Sequence, residues 1–294
     1  MNEPSAFPAA PALVRLPDPA ALFERRAARL AALAEGHAAP EWLRLLARIA
    51  RGQARAVREV PLRAPRGGRD DSLSPTGREG PGEGASRLTP RDPAWRRMLA
   101  VIVDAAHAPG LPAPARDALS LLASEEDDRL EALADVVQSG AVAPDLVACA
   151  PFVGAALQAA RAALAAGLAP AAPGAAEREG ACPGCGGPPV AGVIGAEDRL
   201  RWLSCARCAT EWNVPRVRCT ACETSASPEY LHVDADPGAK AEACPDCRTY
   251  LKLFDLAKRP GAEPGADDAA TIALDLLLAE QGFHRAAANP LVGA

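Results

Sequence analysis

What this chain lacks narrows its class before any motif is considered. No cysteine precedes Cys149, tyrosine and methionine occur twice each, and aromatics make up 4% of the 294 residues. With so few rings and so much alanine, the core must be filled by small and aliphatic side chains, which predicts closely packed helices. No apolar run is long enough to cross a bilayer, so no membrane insertion is expected. The segment Met1–Ala20 carries Glu3 and several prolines, and it lacks the basic and apolar regions of a secretory signal. That predicts a cytoplasmic, reducing location, where thiols stay free and disulfides are rare. An excess of positive charge is also missing. With 32 Lys and Arg against 37 Asp and Glu the formal net charge is −5, which counts against a general nucleic-acid binder. There is no P-loop, no Gly-x-Gly-x-x-Gly after a strand and no Ser/His/Asp context, so the chain is read as a non-enzyme.

What is present is a soluble, globular composition, 49% hydrophobic and 23% charged, long enough for about two domains. Residues 1–170 read as a helical domain. Asp18 can cap a helix in which Leu22, Phe23, Arg26, Leu30 and Leu33 recur at helical spacing up to Gly36. A second helix from Pro40 aligns Trp42, Leu45, Leu46 and Ile49. Residues 63–88 are nearly devoid of apolar side chains and read as a flexible insertion. Helical patterning resumes at Asp92-Pro93 with Trp95, Met98, Leu99 and Ile102. Further helices are expected at 113–123, at 125–138 and from Pro144 to Gly167. The Ala/Pro/Gly stretch Ala169–Ala176 reads as a linker. A C-terminal helix within 264–284, starting near Asp267 or Asp268, is expected to use Ile272, Leu274, Leu276, Leu277 and Leu278 and to end at Gly282.

Between helix and helix lies a cysteine-rich domain, 178–256. Eight of the nine cysteines form four Cys-x-x-Cys pairs: Cys182/Cys185, Cys205/Cys208, Cys219/Cys222 and Cys244/Cys247. Two sulfurs three residues apart can reach one metal ion from a tight turn, and a second pair completes a tetrahedral shell. Nineteen residues separate Cys185 from Cys205, and 21 separate Cys222 from Cys244. Each gap fits a β-hairpin, as in zinc ribbons and rubredoxin-like folds. Sequential pairing, first with second and third with fourth, is the simplest arrangement; an interleaved, cross-braced one is the alternative. Only ten residues lie between Cys208 and Cys219, so the two modules must abut. The expected fold is therefore a helical N-terminal domain, two tandem rubredoxin-like or zinc-ribbon modules with two ions per chain, and a C-terminal helix. Pro183, Gly184, Gly186 and Pro245 suit the turns. Four thiolates accept zinc or iron, and spacing does not separate redox-silent zinc staples from redox-active iron. Thioredoxin-like dithiol chemistry fits poorly, since it uses one pair and not four in series.

These residues resemble the FdhE family of formate dehydrogenase accessory proteins. The likeness rests on Cys182-Pro-Gly-Cys185-Gly186-Gly187-Pro188-Pro189, on Leu203-Ser204-Cys205-Ala206-Arg207-Cys208-Ala209-Thr210-Glu211-Trp212, on Val217-Arg218-Cys219-Thr220-Ala221-Cys222, and on Glu242-Ala243-Cys244-Pro245-Asp246-Cys247 running to Lys252. Leu16-Pro17-Asp18-Pro19, Asp267-Asp268 with Leu274-Asp275-Leu276, and Asn289-Pro290-Leu291 extend it towards both ends. The resemblance implies a cytoplasmic maturation factor that binds the catalytic subunit of formate dehydrogenase, holds iron in rubredoxin-like sites and turns over no substrate.

Other residues are read more simply. Trp202 and Trp212 are expected to cover small ribbon cores, with Arg201, Glu211, Arg216 and Arg218 solvated beside them; a docking surface is the alternative reading. His232 lies between two cysteine pairs that already fill a shell. His37, His107 and His284 lack companions at ligand spacing. Cys149, in an apolar helical run, reads as a small buried hydrophobe. Two rival functions remain: a nucleic-acid-binding zinc ribbon, suggested by Arg199, Arg201, Arg207, Arg216 and Arg218, and a rubredoxin-like electron carrier.

Overall fold

Asp18 and Pro19 start the first helix as their chemistry dictates. The Asp18 carboxylate accepts the Ala21 amide at 3.2 Å, and Pro19 occupies the first turn, where its missing N–H costs nothing. The computed structural model describes residues 13–62, 91–168, 178–216, 218–232, 236 and 238–292. The expected insertion at 63–88 and the expected linker at Ala169–Ala176 lie outside them. The helices are α1 Pro19–Leu33, α2 Pro40–Glu59, α3 Ala94–Ala106, α4 Ala113–Ser124, α5 Asp127–Ser139, α6 Ala150–Ala166, α7 Pro264–Ala270 and α8 Ile272–Glu280. The strands are β1 Val14–Arg15, β2 Pro189–Ile194, β3 Arg201–Cys205, β4 Glu211–Asn213, β5 Glu229–Leu231, β6 Ala239–Ala243, β7 Thr249–Asp255 and β8 His284–Arg285. Helices dominate the N-terminal part, and a small sheet carries the cysteines, as the patterning predicts.

The apolar stripes meet in one core. Phe23 and Leu30 of α1, Leu46 and Ile49 of α2, and Trp95, Met98 and Ile102 of α3 are all buried together with α6. Helix α6 is buried along almost its whole length and touches α1, α2, α3 and α5. It starts later than the pattern suggests, at Ala150 and not Pro144. Pro151 stands in its first turn, where proline is tolerated; deeper inside a helix it would remove an amide and clash with the preceding turn.

The C-terminal segment departs further from expectation. The single helix expected there is two, broken at Thr271, and Asp267 and Asp268 lie inside α7 instead of starting it. Thr271 has left helical geometry (φ −105°, ψ 32°), and its hydroxyl donates to the Asp267 carbonyl at 2.8 Å. The Lys252 ammonium donates to the carbonyls of Asp268 and Thr271 at 2.8 and 3.1 Å, capping the end of α7 with a cation. Leu274 and Leu278 of α8 are buried, whereas Ile272, Leu276 and Leu277 are exposed.

The sheet explains how two ribbons abut. Strands β2, β3 and β4 form one antiparallel meander, and β5, β6 and β7 form another. Parallel pairing of β2 with β7, Gly192 opposite Leu253, fuses the two into one sheet ordered β1-β4-β3-β2-β7-β6-β5. Strand β1 extends the β4 edge, and β8 pairs with β7 beyond the end of β2.

Helices and sheet are joined by buried charge. Arg26, in the apolar stripe of α1, is 2% exposed and holds Glu263 through two hydrogen bonds of 3.0 and 2.8 Å. Its third nitrogen donates to Gln158 of α6 at 2.6 Å, and Gln158 in turn donates to the carbonyl of Ala206, between Cys205 and Cys208. Beside this lies a second cluster. Asp267 receives Arg29 and Arg259, while Asp268 receives Lys252, Arg285 and Asn289. Burial works to raise the Asp268 pKa, but Lys252 and Arg285 outweigh it and hold the carboxyl below its ordinary value.

Removing one partner of such a pair leaves an uncompensated charge in the core. Arg26→Met should therefore cost about 3–5 kcal/mol in urea denaturation, and Arg26→Met with Glu263→Gln should recover part of it. A loss below about 1 kcal/mol, the scale of solvated pairs, would contradict this account.

Candidate metal centre

Each Cys-x-x-Cys pair is built on the same backbone device. The amide of the first cysteine donates to the carbonyl five residues on: Cys182 to Gly187, Cys205 to Thr210, Cys219 to Thr224 and Cys244 to Thr249, at 2.9–3.1 Å. Its carbonyl accepts the amide four residues on, from Gly186, Ala209, Glu223 and Arg248 respectively, at 2.8–3.1 Å. Those four residues sit at φ between 57° and 69°, the left-handed region. Only the first knuckle places glycine there, so the other three hold a side chain in a conformation that favours glycine. Amides in these turns also point at sulfur: Arg207 N lies 3.3 Å from Cys205 Sγ, and Ala221 N lies 3.3 Å from Cys219 Sγ.

The sheet then brings the knuckles together sequentially. Cys182, Cys185, Cys205 and Cys208 form one cluster, and Cys219, Cys222, Cys244 and Cys247 form the other. Within each, the four sulfurs lie within 4.8 Å of one another. Facing pairs are 3.6 Å (Cys182–Cys208) and 3.4 Å (Cys185–Cys205) apart in the first cluster, and 3.7 Å (Cys219–Cys247 and Cys222–Cys244) in the second. A tetrahedral ion with bonds of about 2.3 Å needs sulfurs about 3.8 Å apart, close to these facing distances, so each group of four could hold one ion. His232 belongs to neither group.

Electrostatics point the same way. Hydrogen bonds from Cys182, Cys205 and Cys208 hold Cys185 well below the ordinary thiol range, while burial pushes Cys205 far above it. A soft cation held by these four sulfurs would displace their protons. In the second cluster burial pushes Cys219 up to about 12. Burial also opposes ionisation of Cys247, but the hydroxyl and amide of Thr249 outweigh it and bring this thiol down to about 7.

The surrounding residues divide. Trp202 and Trp212 are buried, covering the sheet as expected, and so offer no docking face. Arg201 corrects the expectation of a solvated charge: it is 2% exposed and pairs with buried Glu242 at 3.1 Å. Arg218 pairs with Glu179, and Glu211 with Arg15. Cys149 is buried away from both clusters, and burial raises its pKa. The buried ion pairs were missed from sequence; their one signal is charge inside apolar flanks, such as Lys252 within Tyr250-Leu251-Lys252-Leu253-Phe254. The shared knuckle geometry also had a signal: threonine stands five residues after the first cysteine in three of four pairs.

A helical bundle fused to a double ribbon with two four-cysteine clusters defines a ribbon protein of the tetrathiolate class. Comparisons with known proteins take the assignment further. The profile described as "FdhE, N-terminal" matches residues 11–177, "FdhE, central domain" matches 181–216, and "FdhE, C-terminal domain" matches 217–292. The Protein FdhE homolog of Pseudomonas aeruginosa is 38% identical over 290 residues, spanning 92% of this chain and 90% of that relative. The homolog of Stutzerimonas stutzeri is 38% identical over 312 residues, spanning 99% and 96%. The crystal structure of the FdhE protein from Pseudomonas aeruginosa aligns with a TM-score of 0.77 at 35% identity, covering 95% of this chain and 98% of that one. The chain belongs to the FdhE family.

The knuckle geometry makes a direct prediction. A Cβ at Gly186 would meet nothing within 4 Å, so any cost of Gly186→Ala comes from its φ of 69° alone. The expected loss is about 1 kcal/mol in denaturant titration, and an unchanged midpoint would show that the turn relaxes freely.

Proposed function

We propose that this protein is an accessory factor for formate dehydrogenase, binding the catalytic subunit in the cytoplasm without catalysing a reaction itself. In this reading Cys182, Cys185, Cys205 and Cys208 hold one ion, and Cys219, Cys222, Cys244 and Cys247 hold another, within a metal-binding domain spanning 178–256. The helices, in the domain 1–170 and the C-terminal segment 264–284, and the ribbons together bind the partner, while the metal sites hold that surface in shape or take part in redox control. The observation behind the metal assignment is the pair of four-sulfur clusters at tetrahedral spacing; the formate dehydrogenase role follows from membership of the FdhE family. Among the described residues no helix is long and apolar enough to cross a membrane. A bound ion would cross-link each pair of knuckles, and iron would add a one-electron couple that zinc lacks.

Of the arginines that suggest nucleic acid, Arg199 pairs with Asp255, Arg201 with Glu242 and Arg218 with Glu179. Neutralised guanidinium groups are poor phosphate anchors, which favours the accessory reading. Co-purification of the tagged chain with the formate dehydrogenase catalytic subunit is the test. Absence of that subunit, together with full formate dehydrogenase activity in a deletion strain, would refute the role.

Metal analysis addresses the sites separately. Cys185→Ser should lower the bound metal by one ion per chain and raise amide exchange across 180–255, leaving the helices protected. Two ions retained in this variant would refute the ligand set. The aerobically prepared protein will be red if iron fills the sites and colourless if zinc does.

A further inference from the structure

The two clusters share a knuckle but not an environment. In the first, Cys182, Cys185, Cys205 and Cys208 are each no more than 2% exposed. They are packed among Ala165 of α6, Leu203, Trp212 and Leu251, so both the helical bundle and the sheet seal them. In the second, only Cys244 is buried; Cys219 and Cys247 are half-buried and Cys222 is exposed. None of these four belongs to one of the apolar clusters formed by the described residues. The neighbouring strand β5 is the edge of the sheet, with Glu229 and Tyr230 facing solvent.

Exchange at a thiolate shell requires an incoming donor to reach a sulfur or the space beside it, so rate follows access. At the first cluster no donor arrives unless the packed junction between α6 and the sheet opens, an event with the free energy of local unfolding. At the second, Cys222 already meets solvent. We propose that the second cluster is the exchanging centre of this protein, taking up and releasing a soft divalent cation, and that the first is a permanent structural one. Cys222 is the sulfur that a thiolate or chelating donor displaces: one donor enters, the Cys222 thiolate leaves and takes a proton from water, and no electron moves. This rests on the reading that the eight cysteines are the ligands, and it adds a division of labour between them.

The test uses the full chain loaded with Zn(II) and mixed with the chromophoric chelator 4-(2-pyridylazo)resorcinol. Two phases of one ion each are expected, with the slow one at least about tenfold slower because it waits on opening of the core. Iodoacetamide added with the chelator should label Cys222 first, and Cys219, Cys244 and Cys247 before any cysteine of the first cluster. Cys222→Ser should abolish the fast phase and leave one slowly released ion. Release of both ions in a single phase, or labelling that starts at Cys182, Cys185, Cys205 or Cys208, overturns the proposal. Fewer than two ions in the loaded wild-type chain overturns the ligand assignment instead, and with it this inference.

Discussion

The contact on which the rest of this structure depends is the buried pairing of Arg26 with Glu263. A guanidinium at an apolar position of α1 has no business in a core unless its charge is met, and Glu263 meets it with two hydrogen bonds. The third nitrogen of Arg26 reaches Gln158, and Gln158 reaches the backbone of the second cysteine knuckle. One side chain thereby fixes three things to each other: the first helix, the central helix and the turn carrying Cys205 and Cys208. The C-terminal segment closes over this contact, held by Asp267 and Asp268 and their cations. The first thiol cluster is buried because helix and sheet are clamped together at this point. The second lies beyond the clamp, at the open side of the sheet.

Much of this organisation was legible in the sequence, and the reasons are local. Helical periodicity located α1 to α5, because an amphipathic stripe such as Leu22, Phe23, Arg26 and Leu30 writes its own geometry. The four cysteine pairs announced two clusters, since three-residue spacing and hairpin-length gaps leave few other arrangements. What was not legible is what depends on distant partners. The joining of the ribbons through β2 and β7 depends on parallel strands far apart in sequence, which no short window contains. The break at Thr271 reflects Lys252 capping α7 from another strand. Arg201 was expected in solvent because nothing near it in sequence hints at Glu242. The unequal burial of the clusters was equally hidden: both have the same motif, and what distinguishes them is the packing of α6 and the sheet around the first and the place of the second beside the edge strand β5.

The knuckles show how a repeated motif tolerates divergence. All four use the same pair of backbone hydrogen bonds and the same left-handed residue, yet that residue is Gly, Ala, Glu or Arg. The backbone requirement is met by the turn as a whole, and the side chain at the strained position is left to local needs. Arg248 stacks on Phe283, and Glu223 accepts the amide of Glu179. In this way cysteine turns of one backbone design become attachment points for different neighbours, which lets each ribbon be wired differently into the protein.

The separation of 237 residues between Arg26 and Glu263 has a consequence for how the chain is made. During synthesis α1 leaves the ribosome before its partner, with its guanidinium directed at a core that lacks its counter-charge until Glu263 has been translated. Strand β2 likewise waits with an unpaired edge until β7 emerges. A chain cut short of Glu263 therefore keeps the Arg26 charge without its counter-charge, at the junction of α1, α6 and the cysteine turn.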